Sequence, residues 1–218
     1  MKINGRLNNI LSLIPNDADI VADIGCDHGK VIVSTVLLGK CNRGIAVDIS
    51  ENSLQKAKNL AEYVGVFDKI DFVCGDGFKK IDNIKIDVAI ISGIGGYETV
   101  SVMNHKNRVS QYILCPHQNI PVLRKYLRKN DFFVTYDYWI KENNKYYSVI
   151  CAQQGQSNYS DEEIYIGKNL PANDIFNERN LKRYDYLKKL VENSNISIDN
   201  IELIKEYEVL KNWKNSLI

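Results

Sequence analysis

The chain has 218 residues, of which 44% are hydrophobic and 25% are charged, and its formal net charge at pH 7 is +1. This composition suits a folded protein of one or two domains with a substantial core. The near-neutral charge excludes a generally basic nucleic-acid-binding protein, so contacts with a polyanion must come from local patches. Apolar runs also stay well short of the ~20 residues that a membrane-spanning helix needs.

The five cysteines are scattered along the chain without a Cys-x-x-Cys pair. An odd number of cysteines in mostly apolar surroundings favours reduced thiols over disulfides or a zinc site. The first residues, Met1–Arg6, lack the apolar segment of a secretory signal peptide. We therefore expect a soluble, cytoplasmic protein that binds no metal and contacts no membrane.

The first predicted element is a short helix from about Arg6 to Ile14, which ends at Pro15. Units of a buried strand followed by a helix or loop come next. The predicted strands are Ile20–Gly25, Gly44–Val47, Ile70–Cys74, Val88–Ile91 and Tyr112–Cys115. The predicted helices among them are Lys30–Leu38, a helix capped by Ser50 that runs to about Val64, and Ile120–Lys129.

Two longer strands, about Phe132–Lys141 and Tyr146–Gln153, follow and are joined by Asn143 and Asn144. Asparagine tolerates positive φ, so this pair predicts a hairpin turn. Five parallel units followed by a hairpin predict an α/β fold with a mostly parallel, seven-stranded sheet and an antiparallel edge.

A polar stretch, Gln154–Asn158, separates this unit from the rest of the chain. Apolar spacing beyond it predicts two helices, Phe176–Leu190 and Ile201–Trp213, with a break at Asn193–Asn195. We therefore predict a main domain over residues 1–156 and a C-terminal helical hairpin domain over residues 157–218.

The most informative motif is Asp-x-Gly-x-Asp-x-Gly at Asp23, Gly25, Asp27 and Gly29, between the first strand and its helix. A glycine turn of this kind presents backbone N–H groups and a helix N-terminus to a ligand. The turn alone is weak evidence, because many nucleotide-binding folds share it. Asp27 has an ordinary alternative role as a helix N-cap.

Two further acids follow neighbouring strands and strengthen the case for a cofactor site. Asp48 ends the second strand, where a carboxylate can accept both ribose hydroxyls, and Asp76 follows the third, where it could accept from an adenine amino group. Acids in the turn would repel the pyrophosphate of a dinucleotide but suit the cationic sulfonium of S-adenosylmethionine. This argument favours S-adenosylmethionine.

The ends of the fourth and fifth strands are where such an enzyme would hold its methyl acceptor. Gly93, Gly95 and Gly96 offer backbone groups and room for a flat base, although a closely packed helix start would also need glycine. His117 follows the fifth strand and would either line an acceptor pocket or lie in a solvated loop. His105 lies in a polar run and is expected at the surface.

These motifs together resemble the bacterial tRNA (adenine-22-N1)-methyltransferase family, TrmK. Ala22–His28 resembles the family's Ala-Asp-Ile-Gly-Ser-Asp-His turn, and Ser92–Gly96 resembles its Ala-Gly-Met-Gly-Gly strand end. The opening helix, a Pro116–Leu127 segment, the Lys145–Tyr147 hairpin and the C-terminal helices extend the resemblance over nearly the whole chain. Lys30 stands where the family usually has an aromatic residue.

The resemblance implies a Rossmann-like class I methyltransferase that uses S-adenosylmethionine to methylate N1 of an adenine in the D-loop of tRNA. It implies that Asp27 is the catalytic carboxylate. It places Asp23, Gly25, Asp48, Asp76 and Gly93 at the cofactor. It places His28, Lys30, Gly95, Gly96 and His117 at the substrate.

Three alternatives stay open at this point. One is a methyltransferase with a small-molecule acceptor, which a C-terminal hairpin without RNA contacts would favour. Another is a catalytically silent RNA- or protein-binding relative that keeps the fold. A dehydrogenase is disfavoured by the acidic turn.

Overall fold

A computed structural model describes residues 5–104, 108–192 and 200–217 of the chain. The predicted surface position of His105 and the predicted break at Asn193–Asn195 lie outside these residues. The strands are β1 (Ile20–Ile24), β2 (Arg43–Asp48), β3 (Ile70–Cys74), β4 (Lys85–Ser92), β5 (Arg108–Cys115), β6 (Phe132–Glu142) and β7 (Lys145–Gln154). The described helices are α1 (Gly5–Ser12), α2 (Lys30–Leu37), α3 (Glu51–Tyr63), α4 (Gly96–Met103), α5 (Ile120–Lys129), α6 (Glu163–Ile166), α7 (Asp174–Glu192) and α8 (Ile201–Asn215).

The seven strands form one sheet in the order β3-β2-β1-β4-β5-β7-β6. Strands β1 to β5 pair in parallel, and β7 pairs antiparallel with both β5 and β6. The predicted mostly parallel sheet with an antiparallel edge is confirmed. Chain order reverses at β1, because β2 lies on one side of it and β4 on the other, and such a reversal opens a crevice at the carboxyl ends of the strands.

Helices cover both faces of the sheet, because buried parallel strands carry apolar side chains on both sides. One core joins α1, α2 and α3 to the sheet through residues such as Ile10, Ile32 and Leu54. The opposite core joins α4, α5 and α6 through residues such as Met103 and Leu123.

The hairpin between β6 and β7 turns at Asn143 and Asn144, whose φ angles are 48° and 63°. Two successive residues with positive φ form the type of turn that suits the twist of paired strands. The sequence prediction of this turn is confirmed.

The segment after β7 returns to the sheet instead of forming a free linker. The Asn158 side chain bonds both the N–H and the C=O of Val134, and Leu170 pairs with Asp137 of β6. Helix α6, which the sequence analysis missed, is preceded by a reciprocal pair of the capping-box type, in which Ser160 and Glu163 each accept a hydrogen bond from the other's backbone N–H.

Helices α7 and α8 form the predicted C-terminal pair and pack on the sheet edge. Their apolar side chains form a third hydrophobic cluster together with Trp139 of β6. The helical members of this cluster include Phe176, Tyr184, Leu187 and Leu210. This contact and the returning segment both tie residues beyond 156 to the sheet. The predicted division into two domains stays a prediction. The described helices include none long and apolar enough to cross a bilayer.

Candidate active site

A cleft of about 860 Å³ opens at the carboxyl ends of β1 to β4, beside the reversal of chain order. It is lined by carboxylates from four separate segments of chain and by the glycine turn after β1. Eight of the eleven predicted site residues line it, namely Asp23, Gly25, Asp27, His28, Lys30, Asp48, Asp76 and Gly93.

Asp23 is the most unusual of these residues, because its carboxylate is buried in β1 with only 2% of the residue exposed. Its Oδ2 has no hydrogen-bond partner among the described residues. Burial raises the pKa of Asp23 from 3.8 to about 7, and the neighbouring Asp48 and Asp27 add to the rise, while a hydrogen bond with the Ile32 backbone opposes it. A buried carboxylate in this state suits a cationic ligand.

Asp48 organises the turn as well as lining the cleft. Its Oδ2 accepts a hydrogen bond from the Asp27 N–H at 2.8 Å, and its Oδ1 accepts one from the Ser50 N–H at 2.9 Å. A carboxylate has about four acceptor positions, so both oxygens can still accept from ribose hydroxyls. Asp48 thus joins the glycine turn to the start of α3, where Ser50 is the N-cap.

Asp27 does not cap the following helix, because Gly29 occupies the N-cap position of α2. Asp27 has a φ of 50° and a side chain that is 69% exposed at the cleft. Its carboxylate lies 2.9 Å from the Nδ1 atom of His28. The alternative reading of Asp27 as a helix cap is therefore wrong, and the carboxylate is available to a substrate.

Asp76 lines the cleft beyond β3 and forms an ion pair with Lys79, with a distance of 2.5 Å between Nζ and Oδ2. This exposed pair restrains the carboxylate only weakly. A ligand amino group can therefore share Asp76 with Lys79.

Gly25 and Gly93 keep the cleft open. Both have positive φ, of 76° and 86°, and a side chain added at either position would meet no described atom within 4 Å. Glycine is needed at these positions for its backbone conformation. The space in front of each backbone is left to a ligand.

Gly95, Gly96 and His117 lie outside the set of residues that lines the cleft. Gly96 begins α4 and packs so tightly that an added Cβ would overlap the carbonyl of Asn119. Gly95 is the N-cap of α4, and the exposed His117 donates its backbone N–H to Ile94. Close packing against backbone explains Gly96, whereas a Cβ at Gly95 would meet only the side chains of Glu98 and Gln118. The substrate contacts of both glycines stay a prediction.

The cleft also contains polar residues that the sequence analysis did not select. Glu98 and Ser101 come from α4, Ser92 ends β4, and Arg6 reaches the cleft from α1. Ser92 begins the glycine-rich strand end, and Glu98 and Ser101 lie in the helix that follows it, so this motif was a usable local signal. Arg6 carried no such signal, since only the packing of α1 brings it to the cleft. The described residues contain no group of His, Cys, Asp or Glu suited to a metal ion.

Comparison with known proteins agrees with this architecture. Residues 3–150 match the family described as "Methyltransferase domain". The chain belongs to this methyltransferase family.

Two curated relatives refine the assignment. A Mycoplasma pneumoniae protein provisionally named a tRNA methyltransferase is 30% identical over 154 residues, which span 68% of this chain and 71% of that protein. The tRNA (adenine(22)-N(1))-methyltransferase of Bacillus subtilis is 28% identical over 170 residues, which span 76% of this chain and 71% of that protein. The predicted resemblance to the TrmK family is confirmed, and the chain is a divergent member of it.

The fold is shared over nearly the full length with a solved structure. The M. capricolum TrmK, in complex with S-adenosyl-homocysteine, superposes with a TM-score of 0.86 at 23% sequence identity and covers 98% of both chains. The similarity includes the C-terminal helices as well as the sheet. The Rossmann-like methyltransferase fold predicted from the sequence is confirmed.

Proposed function

We propose that this protein transfers the methyl group of S-adenosylmethionine to N1 of an adenine in tRNA. The observation that carries the proposal is the acidic cleft, in which a buried, incompletely paired Asp23 lies beside Asp27 and Asp48. This charge pattern suits a cationic nucleoside cofactor and opposes a pyrophosphate.

The residues present fit this cofactor. Asp23 would hold a cationic group of it, Asp48 would accept from the ribose hydroxyls, and Asp76 would accept from the adenine amino group. The open backbone at Gly25 and Gly93 leaves room for the ligand. A relative of the same fold, the M. capricolum TrmK, binds the cofactor product.

S-Adenosylmethionine, when bound, supplies an electrophilic methyl group on a sulfonium. Adenine N1 takes the methyl group with its in-plane lone pair, so that positive charge moves to the base and the neutral thioether is released. Asp27 would accept a hydrogen bond from N6–H of that base. A carboxylate in this position stabilises the developing charge, orients the ring and can take up the N6 proton.

The tRNA substrate is supported by the B. subtilis relative, which is named for its action on adenine 22. Arg6 and Lys30 line the cleft and can contact phosphates beside the target base. The C-terminal helices use many of their cations internally, since Arg183, Lys182 and Lys188 are paired with glutamates. Because these cations are already paired, we expect RNA to contact the rim of the cleft rather than the C-terminal helices.

The test is methylation of undermethylated bacterial tRNA with S-adenosylmethionine, followed by nucleoside mass spectrometry. We expect N1-methyladenosine, and a tRNA transcript with guanine in place of adenine 22 serves as the matched control. N6-methyladenosine as the product would contradict the proposed chemistry. Tight cofactor binding without transfer to any tRNA would instead indicate a silent relative.

A further inference from the structure

A chain of two polar contacts leads from helix α3 to the cleft. The Lys56 Nζ lies 3.0 Å from His28 Nε2, and His28 Nδ1 lies 2.9 Å from Asp27 Oδ2. His28 and Asp27 line the cleft, whereas Lys56 is outside the lining set. Among the contacts between described residues, Lys56 is connected to the cleft through His28.

The chemistry of the three groups gives this chain a direction. A lysine ammonium group can only donate hydrogen bonds, so Nε2 of His28 must accept. The ring proton then lies on Nδ1, which donates to the Asp27 carboxylate. The contacts thus select a neutral His28 with its proton on Nδ1, and they orient that proton toward Asp27.

Asp27 needs such orientation more than the other carboxylates of the cleft. Its backbone is held by the hydrogen bond from its N–H to Asp48, but its side chain is 69% exposed. An exposed side chain samples several rotamers, and a misplaced carboxylate loses contact with the reacting base. His28 holds one oxygen and leaves Oδ1 available to the base.

We propose that Lys56 is a positioning residue for methyl transfer, which fixes the tautomer of His28 and thereby the direction of the Asp27 carboxylate. The inference rests on the proposed function, since it assumes that Asp27 contacts the target base. It adds a residue from α3 to the reaction machinery, at a position that the glycine turn does not reveal.

The competing role for Lys56 is a direct contact with an RNA phosphate. A phosphate contact contributes to tRNA binding and weakens as salt rises. A positioning role affects the rate of transfer once both substrates are bound. Steady-state kinetics separate the two.

The kinetic test compares Lys56→Met with Lys58→Met, which removes the same charge from the same helix at a side chain that faces the Phe72 ring. For Lys56→Met we expect kcat to fall about threefold to fivefold, which is the size of effect that losing an exposed charged contact produces. The KM for tRNA and the Kd for S-adenosylmethionine should not change. Lys58→Met should match the wild type, and Lys56→Arg, which also only donates, should restore most of kcat.

A second measurement determines the tautomer of His28 directly and does not depend on catalysis. Long-range ¹H–¹⁵N NMR of the histidine rings, assigned with a His28→Asn variant, should show Nδ1 protonated and Nε2 unprotonated in the wild type. Lys56→Met should lose this preference, whereas Lys58→Met should keep it.

Two results overturn the inference. One is an Nε2-protonated neutral His28 in the wild type. The other is an unchanged kcat for Lys56→Met, and a raised KM beside it would indicate a phosphate contact. In each case the wild type still methylates tRNA. A wild type that methylates no tRNA overturns the proposed function, and the positioning role falls with it.

Discussion

Asp23 and Asp137 are both buried carboxylates within strands of the same sheet, but their surroundings differ. Asp23 leaves Oδ2 without a hydrogen-bond partner among the described residues. Asp137 accepts two hydrogen bonds from the fully buried Arg124, each 2.9 Å long, and a third from Tyr159 at 2.8 Å. We refer to Arg124, Asp137 and Tyr159 as the Arg124 cluster.

The contrast separates an incompletely paired carboxylate, for which we propose a role in cofactor binding, from a structural one. Burying a charge is costly unless partners compensate for it, and the Arg124 cluster supplies those partners within the chain. At Asp23 the compensation from the described residues is incomplete, which supports the proposal that this carboxylate binds a cationic ligand. The cluster also joins α5, β6 and the segment that leads to the C-terminal helices, because Arg124 approaches the carbonyls of Ile164 and Tyr165.

The largest expected effect comes from breaking the Arg124 cluster. Arg124→Met would leave Asp137 buried and without its cation, and we expect the free energy of unfolding to fall by about 3–5 kcal/mol. Chemical denaturation monitored by circular dichroism measures this loss. Asp161→Asn, at the exposed pair with Arg128, is the control and should cost less than about 1 kcal/mol. Equal losses for the two variants would remove the distinction between buried and exposed pairs.

Within the cleft, Asp27→Asn tests the exposed carboxylate that we propose contacts the target base. The amide keeps the size of the side chain but loses its charge, and we expect kcat to fall by at least about 100-fold. Cofactor affinity, measured by calorimetry, should stay close to that of the wild type. A wild-type rate on tRNA would exclude a catalytic role for Asp27.

Asp23→Asn tests the buried carboxylate that we propose contacts the cofactor. We expect the affinity for S-adenosylmethionine to fall about tenfold, because a charge-assisted contact becomes a neutral one. The free energy of unfolding should rise in this variant, whereas it should fall in Arg124→Met. The raised pKa of Asp23 means that its charged form costs up to about 4 kcal/mol above pH 7, and the substitution removes this cost. A loss of stability at pH 8 would contradict this account.

The pH dependence is the smallest of these effects and follows from the same pKa. Between 3.8 and about 7 the folded protein binds more protons at Asp23 than the unfolded chain does, so this residue lowers stability as pH rises through that window. Cofactor binding favours the charged form, so affinity should fall as the pH drops below 7, by no more than the about tenfold loss expected for Asp23→Asn. Calorimetry at pH 6 and 7.5 measures the change, and Asp23→Asn should show a flatter profile.

Much of the cleft could be predicted because its residues follow the strands directly. Asp23, Asp48 and Asp76 each stand at or just beyond the end of an apolar run, and parallel strands bring such ends to one edge of a sheet. The fold class follows from the same alternation of strands and helices. These inferences need only short stretches of sequence and the rules of strand connection.

The Arg124 cluster could not be predicted in this way. Arg124 lies in an amphipathic helix and Asp137 in a long strand, and neither local pattern indicates that the other residue is its partner. The capping box at Ser160 and Glu163 was a local signal for α6, but it does not say where that helix packs. The position of Arg6 in the cleft likewise depends on how α1 packs on the sheet.

The sequence by itself determined the sheet, the glycine turn and the acids at the strand ends, because short-range periodicity and turn chemistry encode them. Only the tertiary structure decided which buried carboxylate has a full set of hydrogen-bond partners and which is left incompletely paired. It also decided that Gly96 serves packing and that Lys56 contacts His28. These properties depend on contacts between residues far apart in the chain, and burial sets their energies.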